Sequence, residues 1–166
     1  MIDHVELART LALDFATRAD EADRRGRLPP EDLSALKASG YLVLSVPREY
    51  GGHGLNVRQC VEAQLELAQG NASTAMVTTM QLHVFGHAAE TRPWSEAIFE
   101  KFCRMAVQDG ALFNSVASEP QLGSPSRGGL PETTLEPHDG GWRLNGRKTW
   151  TTGGRYLDHL LVRAAR

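Results

Sequence analysis

The sequence predicts an α+β fold: an all-helical N-terminal domain over residues 1–110, followed by an incomplete antiparallel β domain over residues 111–166. Three observations predict it. Apolar residues recur at three-and-four spacing up to Gly110, and short β-branched and aromatic runs separated by turn pairs follow it. The charge balance changes at the same place: residues 1–110 carry 11 basic and 15 acidic side chains, a net of −4, and residues 111–166 carry 7 and 5, a net of +2. A basic β-half suits an anionic ligand.

The helices come first. From Asp3 to Asp23, Val5, Leu7, Ala8, Leu11, Ala12, Phe15, Ala16 and Ala19 form one apolar stripe, which predicts a single amphipathic helix. Pro29 and Pro30 open a second helix, Glu31 and Asp32 favour the positive end of its dipole, and Gly40 closes it. The stretch Pro47-Arg48-Glu49-Tyr50-Gly51-Gly52-His53-Gly54 holds three glycines and a proline and reads as a turn or loop. Asn56 caps a helix through Gln69, and Asn71 or Ser73 caps another to about Glu90. Ser95 starts a fifth, with Ile98, Phe99, Phe102, Cys103, Met105 and Ala106 as its buried stripe.

Strands are expected at Leu112–Ala117, Thr133–Glu136, Trp142–Leu144, Lys148–Thr152 and Leu160–Ala164, with Asp139-Gly140 and Asn145-Gly146 as hairpin turns. The last strand runs to the end of the sequence, which leaves an unprotected sheet edge.

Composition narrows the function. With 166 residues, 41% hydrophobic and 23% charged, the chain is globular in character, and a net charge of −2 gives no cationic field for nucleic acid. No apolar run is long enough to span a membrane. Cys60 and Cys103 have neither zinc-site nor disulfide spacing, and Asp3 and Glu6 stand where a leader would be basic, so a cytoplasmic setting is expected.

Phosphate-loop motifs are absent. His83 and His87 have the i, i+4 spacing of zinc ligands, but no Glu follows His83 and no third ligand is evident, so two polar residues on one helix face are the simpler reading. Ser39, Ser45 and Ser73 lack a nucleophile-elbow context.

Two stretches can carry chemistry. Val116-Ala117-Ser118-Glu119-Pro120-Gln121-Leu122-Gly123-Ser124 is a strand breaking into a loop rich in hydroxyls and backbone N–H groups, able to bind a polar ring edge or a phosphate; taken alone, an ordinary turn explains it more simply. In Lys148-Thr149-Trp150-Thr151-Thr152, strand period puts Trp150 and Thr152 on one face, where an indole and a hydroxyl meet one planar heteroaromatic ligand. A core Trp packed under the hairpin is the alternative, and periodicity does not separate the two.

These residues carry a resemblance. Ala117-Ser118-Glu119-Pro120 with Gly123-Ser124, then Gly141-Trp142-Arg143-Leu144-Asn145-Gly146-Arg147-Lys148-Thr149-Trp150-Thr151-Thr152-Gly153, resembles the middle domain of the FAD-dependent acyl-CoA dehydrogenases. Val46–Leu55 and Leu67–Ala75 are similar to that family's helical-domain loop and helix junction.

The resemblance implies a β-barrel-like middle domain, present here in part, and FAD as cofactor. Ser118, with Ala117 beside it, would bond the flavin's pyrimidine edge. Ser124, with Gly123, would hold the pyrophosphate; Trp150 would pack on the isoalloxazine; and Thr152 would reach N5 and O4. It further implies α,β-dehydrogenation of an acyl-CoA thioester in fatty-acid metabolism, with hydride transfer to flavin N5, and assembly as a homo-oligomer.

The family's catalytic base is a Glu in a C-terminal helical domain, so a fragment or split subunit is implied, inactive without a complementary C-terminal chain. Glu119 is expected to be structural. Pro125 stands where the family usually has Asp, and Gly153 where Asn is common. Two alternatives share the fold: a flavin-dependent monooxygenase, for which His83 is the residue of interest, and a non-catalytic interaction module.

Overall fold

The computed structural model describes residues 2–121 and 129–166. The chain divides into two compact units, Met1–Leu112 and Phe113–Arg166.

The first unit is helical: α1 (His4–Ala16), α2 (Ala19–Arg25), α3 (Pro30–Ala38), α4 (Val57–Gly70), α5 (Ala72–Thr91) and α6 (Glu96–Gln108), with short 3₁₀ turns at Tyr41–Val43 and Arg48–Tyr50. The single helix expected over Asp3–Asp23 is two helices, broken at Thr17 and Arg18. Partners inside and outside the segment hold the break. The Arg18 guanidinium reaches the Asp32 carboxylate through Nε at 3.0 Å and Nη2 at 2.8 Å, while Thr17 Oγ1 turns back to donate to the Asp14 carbonyl.

Asp32 is fully buried and also accepts from Thr74 Oγ1 at 3.0 Å and Asn71 Nδ2 at 3.4 Å. One carboxylate therefore ties the break after α1 to the start of α3 and the start of α5. Charges buried this way persist only when paired and hydrogen-bonded.

Local caps set the other boundaries. Pro30 occupies the first turn of α3, and Gly40 follows that helix at φ 75°. Asn56 and Gln59 form a reciprocal capping box on α4. Asn71, rather than Ser73, caps α5, accepting from the Ser73 and Thr74 amides at 3.1 Å. Along α5 the buried set includes Val77, Leu82, Val84, Phe85 and Ala88, which makes it the central helix of the unit.

Gly70 permits a close crossing of α4 on α1, since a Cβ there would come within 2.5 Å of the Ala12 Cα. In α6, Phe99, Cys103 and Ala106 are buried, but Ile98, one position from Phe99 and so turned about 100° around the axis, is exposed.

The glycine-rich stretch is the expected loop. It folds back on residues 43–46, with amides of His53, Gly54 and Leu55 donating to the carbonyls of Val43, Val46 and Leu44 at 3.1, 2.8 and 2.8 Å.

The second unit holds β1 (Phe113–Val116), β2 (Thr134–His138), β3 (Gly141–Asn145) and β4 (His159–Val162). The β2–β3 pair is an antiparallel hairpin in the register Leu135↔Leu144, turned by Asp139 (φ 44°) and Gly140 (φ 75°), the two positive φ values that a type I′ turn requires.

Three expectations for this unit need correction. First, β1 and β4 pair in parallel, Phe113 opposite His159, where an antiparallel sheet was expected; the long 117–158 connection supplies the crossover that a parallel pair requires. Second, Asn145-Gly146 makes no hairpin. β3 ends at Asn145, and Gly146 is required because a Cβ there would lie within 2.7 Å of the Thr133 Cα. Third, Lys148–Thr152 is not a strand: Trp150 has φ 57°, the Thr152 amide donates to the Trp150 carbonyl at 2.9 Å, and a 3₁₀ turn at Gly154–Tyr156 follows. Among the described residues the strands do not close a barrel; they form two two-stranded sheets joined by a bridge between Thr134 and Ala165. Among those residues, too, no helix is long and apolar enough to cross a membrane.

Candidate functional site

Where β1 ends, the chain is held to the segment that follows β3. The Ser118 carbonyl accepts from the Thr149 amide at 3.0 Å, and the Ala117 carbonyl from Lys148 Nζ at 3.4 Å. Glu119 locks this junction. It is 2% exposed and accepts from Lys148 Nζ at 2.7 Å, from the Thr133 hydroxyl at 2.6 Å, and from the amides of Glu132 and Thr133 at 2.6 and 3.0 Å. The Lys148 ammonium, then the Thr133 hydroxyl, holds the Glu119 carboxyl down to about 2.

Lys148 also donates to the Arg163 carbonyl at 2.6 Å, so one side chain ties residues 117–119 to the chain beyond β4. Nothing in the local pattern of Lys148 signals this role. Both Glu119 carboxylate oxygens are engaged in these bonds, Oε1 with Lys148 and Thr133 and Oε2 with the Glu132 amide.

This junction brings part of the expected site together. Ala117 and Ser118 lie beside Thr149 and hence next to Trp150, and the Thr152 carbonyl accepts from Asn114 Nδ2 at 2.8 Å, fixing residue 152 to β1. Gly123 and Ser124 lie outside the described residues.

The strand-period argument for Trp150 and Thr152 fails, because the segment is a turn. The alternative of a core Trp fails as well, since Trp150 is 89% exposed. The result is an indole presented to solvent on a left-handed backbone, anchored on one side by the Ser118–Thr149 bond and followed in the chain by Thr151 and Thr152. An open aromatic face beside hydrogen-bonding groups fits a planar ring system with polar edges.

The helical unit has a feature of its own, a groove of about 1110 Å³ whose lining includes Leu55, Val61, Leu65, Met76, Leu82 and Ser45. Sequence reasoning missed it. His83 and His87 sit on its rim, exposed, with rings stacked at 5.6 Å. Among the described residues no group of three His, Cys, Asp or Glu side chains could hold a metal. Cys60 also lines the groove, and burial pushes its thiol up to about 11, which leaves it protonated and unreactive at neutral pH.

The family model described as acyl-CoA dehydrogenase, N-terminal domain, matches residues 5–99, more than half of the sequence. The chain belongs to the acyl-CoA dehydrogenase family. A putative acyl-CoA dehydrogenase of Bacillus subtilis (strain 168), YdbM, is 41% identical over 154 residues, covering 93% of this chain and 40% of the relative. Dibenzothiophene monooxygenase of Rhodococcus erythropolis is 30% identical over 167 residues, covering 96% and 37%.

Among solved structures of the acyl-CoA dehydrogenase fold, FMN-bound TdsC from Paenibacillus sp. A11-2 superposes with a TM-score of 0.84 at 25% identity, covering 98% of this chain and 40% of that one. This acyl-CoA dehydrogenase family member thus spans about two fifths of the length of the curated relatives it matches.

Proposed function

We propose that this family member carries one wall of the cofactor site of an FAD-dependent oxidoreductase that removes the α- and β-hydrogens of an acyl-CoA thioester. The observation that carries the proposal is the Ser118–Thr149 backbone bond, which sets the Ala117–Ser118 edge next to an outward-facing Trp150. In this reading Trp150 offers its indole face to the isoalloxazine. Ser118 and the Ala117 backbone bond the ring edge, and Thr152 supplies a hydroxyl near the reacting end. Gly123 and Ser124 complete the set at the pyrophosphate.

The bound flavin supplies the hydride acceptor. The chain's own residues hold and orient it, and Glu119, enclosed by Lys148 and Thr133, is not available as the proton-abstracting base. That base comes from a complementary C-terminal segment, and the complete protein is a homo-oligomer of the reducing cytoplasm, where Cys60 and Cys103 remain free thiols.

A second reading, a flavin-dependent monooxygenase, is favoured by the dibenzothiophene monooxygenase relatives and the FMN-bound neighbour. Under it His83, exposed on the groove rim, is the residue of interest.

Two measurements separate the readings. FAD and FMN are titrated into the purified 166-residue chain with Trp fluorescence as the signal, and tighter binding of FAD is expected. The chain is also fused to the remaining part of the B. subtilis relative. Anaerobic addition of octanoyl-CoA then bleaches the visible flavin absorbance if the dehydrogenase reading holds. Absence of bleaching, together with oxygen uptake by the reduced fusion and a preference for FMN, supports the monooxygenase.

A further inference from the structure

We propose that Asn145-Gly146 is a self-modification site: the side-chain amide of Asn145 is lost to attack by the next backbone nitrogen, and the product loosens the junction that carries Trp150. The chain has four asparagines, and three are held. Asn56 and Asn71 accept from helix-start amides, and Asn114 is buried with its Nδ2 on the Thr152 carbonyl. Asn145 is exposed at the end of β3, and among the described residues its side chain makes no hydrogen bond.

The attacking group is the amide nitrogen of Gly146. Bonded and non-bonded pairs alternate along an antiparallel ladder, and the two-residue turn at Asp139-Gly140 is closed by the bonded pair His138 and Gly141. Counting along the register, Thr134 and Asn145 are also a bonded pair, so Gly146 falls at a non-bonded position. Its N–H points away from β2, towards an edge of β3 that no described strand covers. Gly146 is exposed and has no side chain to hinder ring closure.

The Gly146 nitrogen bonds to the Asn145 Cγ as the Cγ–Nδ2 bond breaks, and the proton of the Gly146 amide leaves with Nδ2 as ammonia. The product is a five-membered cyclic imide. Solvent water then adds to one of its two carbonyls and the C–N bond at that carbonyl breaks. Opening at Cγ leaves an aspartate on an ordinary backbone; opening at the main-chain carbonyl leaves isoaspartate, in which the chain runs through the β-carbon. No electrons are gained or lost.

Isoaspartate adds a methylene to the main chain where there is no slack. A Cβ on Gly146 would lie 2.7 Å from the Thr133 Cα, so the two backbones are already in contact. Thr133 holds Glu119 through its hydroxyl and amide, and Lys148, two residues beyond Gly146, closes the same lock. Lengthening the chain at 145 therefore moves Gly146 off Thr133 and weakens the hold of Glu119 on the segment leading to Trp150. The new charge by itself is accommodated, since position 145 is exposed and stands between Arg143 and Arg147 in the chain. None of this depends on the flavin reading.

In the test, the purified 166-residue chain is incubated at neutral and mildly alkaline pH, folded and in urea, and then cut with trypsin. Cleavage after Arg143 and Arg147 releases residues 144–147, in which Asn145 carries the one side-chain amide. Asp139-Gly140, which rearranges without a change of mass, falls in a different peptide. In the folded chain this peptide is expected to gain the mass of an amide-to-acid conversion and to co-elute mainly with a synthetic isoaspartyl standard. The rate should rise about ten-fold per pH unit, because the nucleophile is the amide anion. Peptides holding Asn56, Asn71 and Asn114 should keep their amides. Ion exchange then separates the converted chains from the parent. Their β-unit, followed by Trp fluorescence, should melt about 4–8 °C lower, the shift that losing one net hydrogen bond gives in a small domain. Asn145→Asp, with the same charge on an unaltered backbone, should match the parent. A folded chain that keeps the Asn145 amide while the urea-unfolded chain loses it, or converted chains as stable as Asn145→Asp, would each overturn the proposal.

Discussion

The Lys148 ammonium lies 2.7 Å from the Glu119 carboxylate, with 12% and 1% of the two side chains exposed, and this pair fixes the edge on which Ala117 and Ser118 are presented. Because the Lys148 and Thr133 hydrogen bonds stabilise the carboxylate in the folded state, its folded value is about 2 against an ordinary 4.5. A group depressed on folding adds stability above its unfolded value and loses it as pH falls towards the folded one. The β-unit should therefore lose stability between about pH 5 and pH 2. In Glu119→Gln this acid dependence should be weaker and neutral-pH stability lower, since Lys148 stays buried without its counter-charge. Urea unfolding monitored by Trp fluorescence across that window checks both; equal acid slopes in the two proteins would show that other carboxylates govern the transition.

Asp32 performs the corresponding task in the helical unit. Asp32→Ala strands Arg18 and removes the acceptor of Thr74 and Asn71, and a loss of about 3 kcal/mol is expected, at the low end for a broken buried pair because the Arg18 side chain is 26% exposed and keeps Asp14. Asp14→Ala, on the exposed side of the same guanidinium, should cost clearly less. Urea melts followed by far-UV circular dichroism rank the two, and a larger loss for Asp14→Ala would place the anchor on the wrong carboxylate.

What the sequence made legible was local. Proline at the first turn of α3, the Asn56 cap and the Asp139-Gly140 turn each act within four residues, and each element formed where its signal stood. The failures involve partners far along the chain. Arg18 breaks a continuous apolar stripe because Asp32 draws it away. Gly146 reads as a hairpin residue but is required by Thr133, and Lys148–Thr152 alternates like a strand while Ser118 and Asn114 hold it in a turn. At the candidate site the residue types were legible and their arrangement was not: the same-face argument for Trp150 and Thr152 needed a strand that does not form.

Gly70 offers a test in which helix propensity and packing oppose each other. As the last residue of α4 it should favour Ala by up to about 1 kcal/mol on propensity alone. A methyl group there, however, would press on the backbone of Ala12 in α1, which cannot rotate away. Overpacking of this kind costs about 1–3 kcal/mol, so Gly70→Ala should be destabilising overall, with the loss removed in no single second-site side-chain truncation. A Tm equal to or above that of the parent would mean that α1 and α4 can separate at little cost.

Trp150 separates binding from stability. A bulky side chain at φ 57° strains the backbone by about 1–2 kcal/mol, and with the indole 89% exposed, little packing offsets that strain. Trp150→Gly relieves the strain and adds back about 0.5–1 kcal/mol of backbone entropy cost, so the free β-unit should be unchanged or up to about 1 kcal/mol more stable. Flavin affinity should fall by about 1–3 kcal/mol, the worth of one aromatic stacking platform, and Trp150→Ala should show the same loss without the gain in stability. Trp142→Ala should act the other way. Its ring carries the Arg166 guanidinium 4.9 Å from its centroid and stands opposite Pro137 in the β2–β3 register, so its removal should weaken the hairpin more than the cofactor. Thermal melts and FAD titrations on the three variants decide the matter: equal losses of affinity for Trp150→Ala and Trp142→Ala would mean that the exposed indole is not the surface the flavin meets.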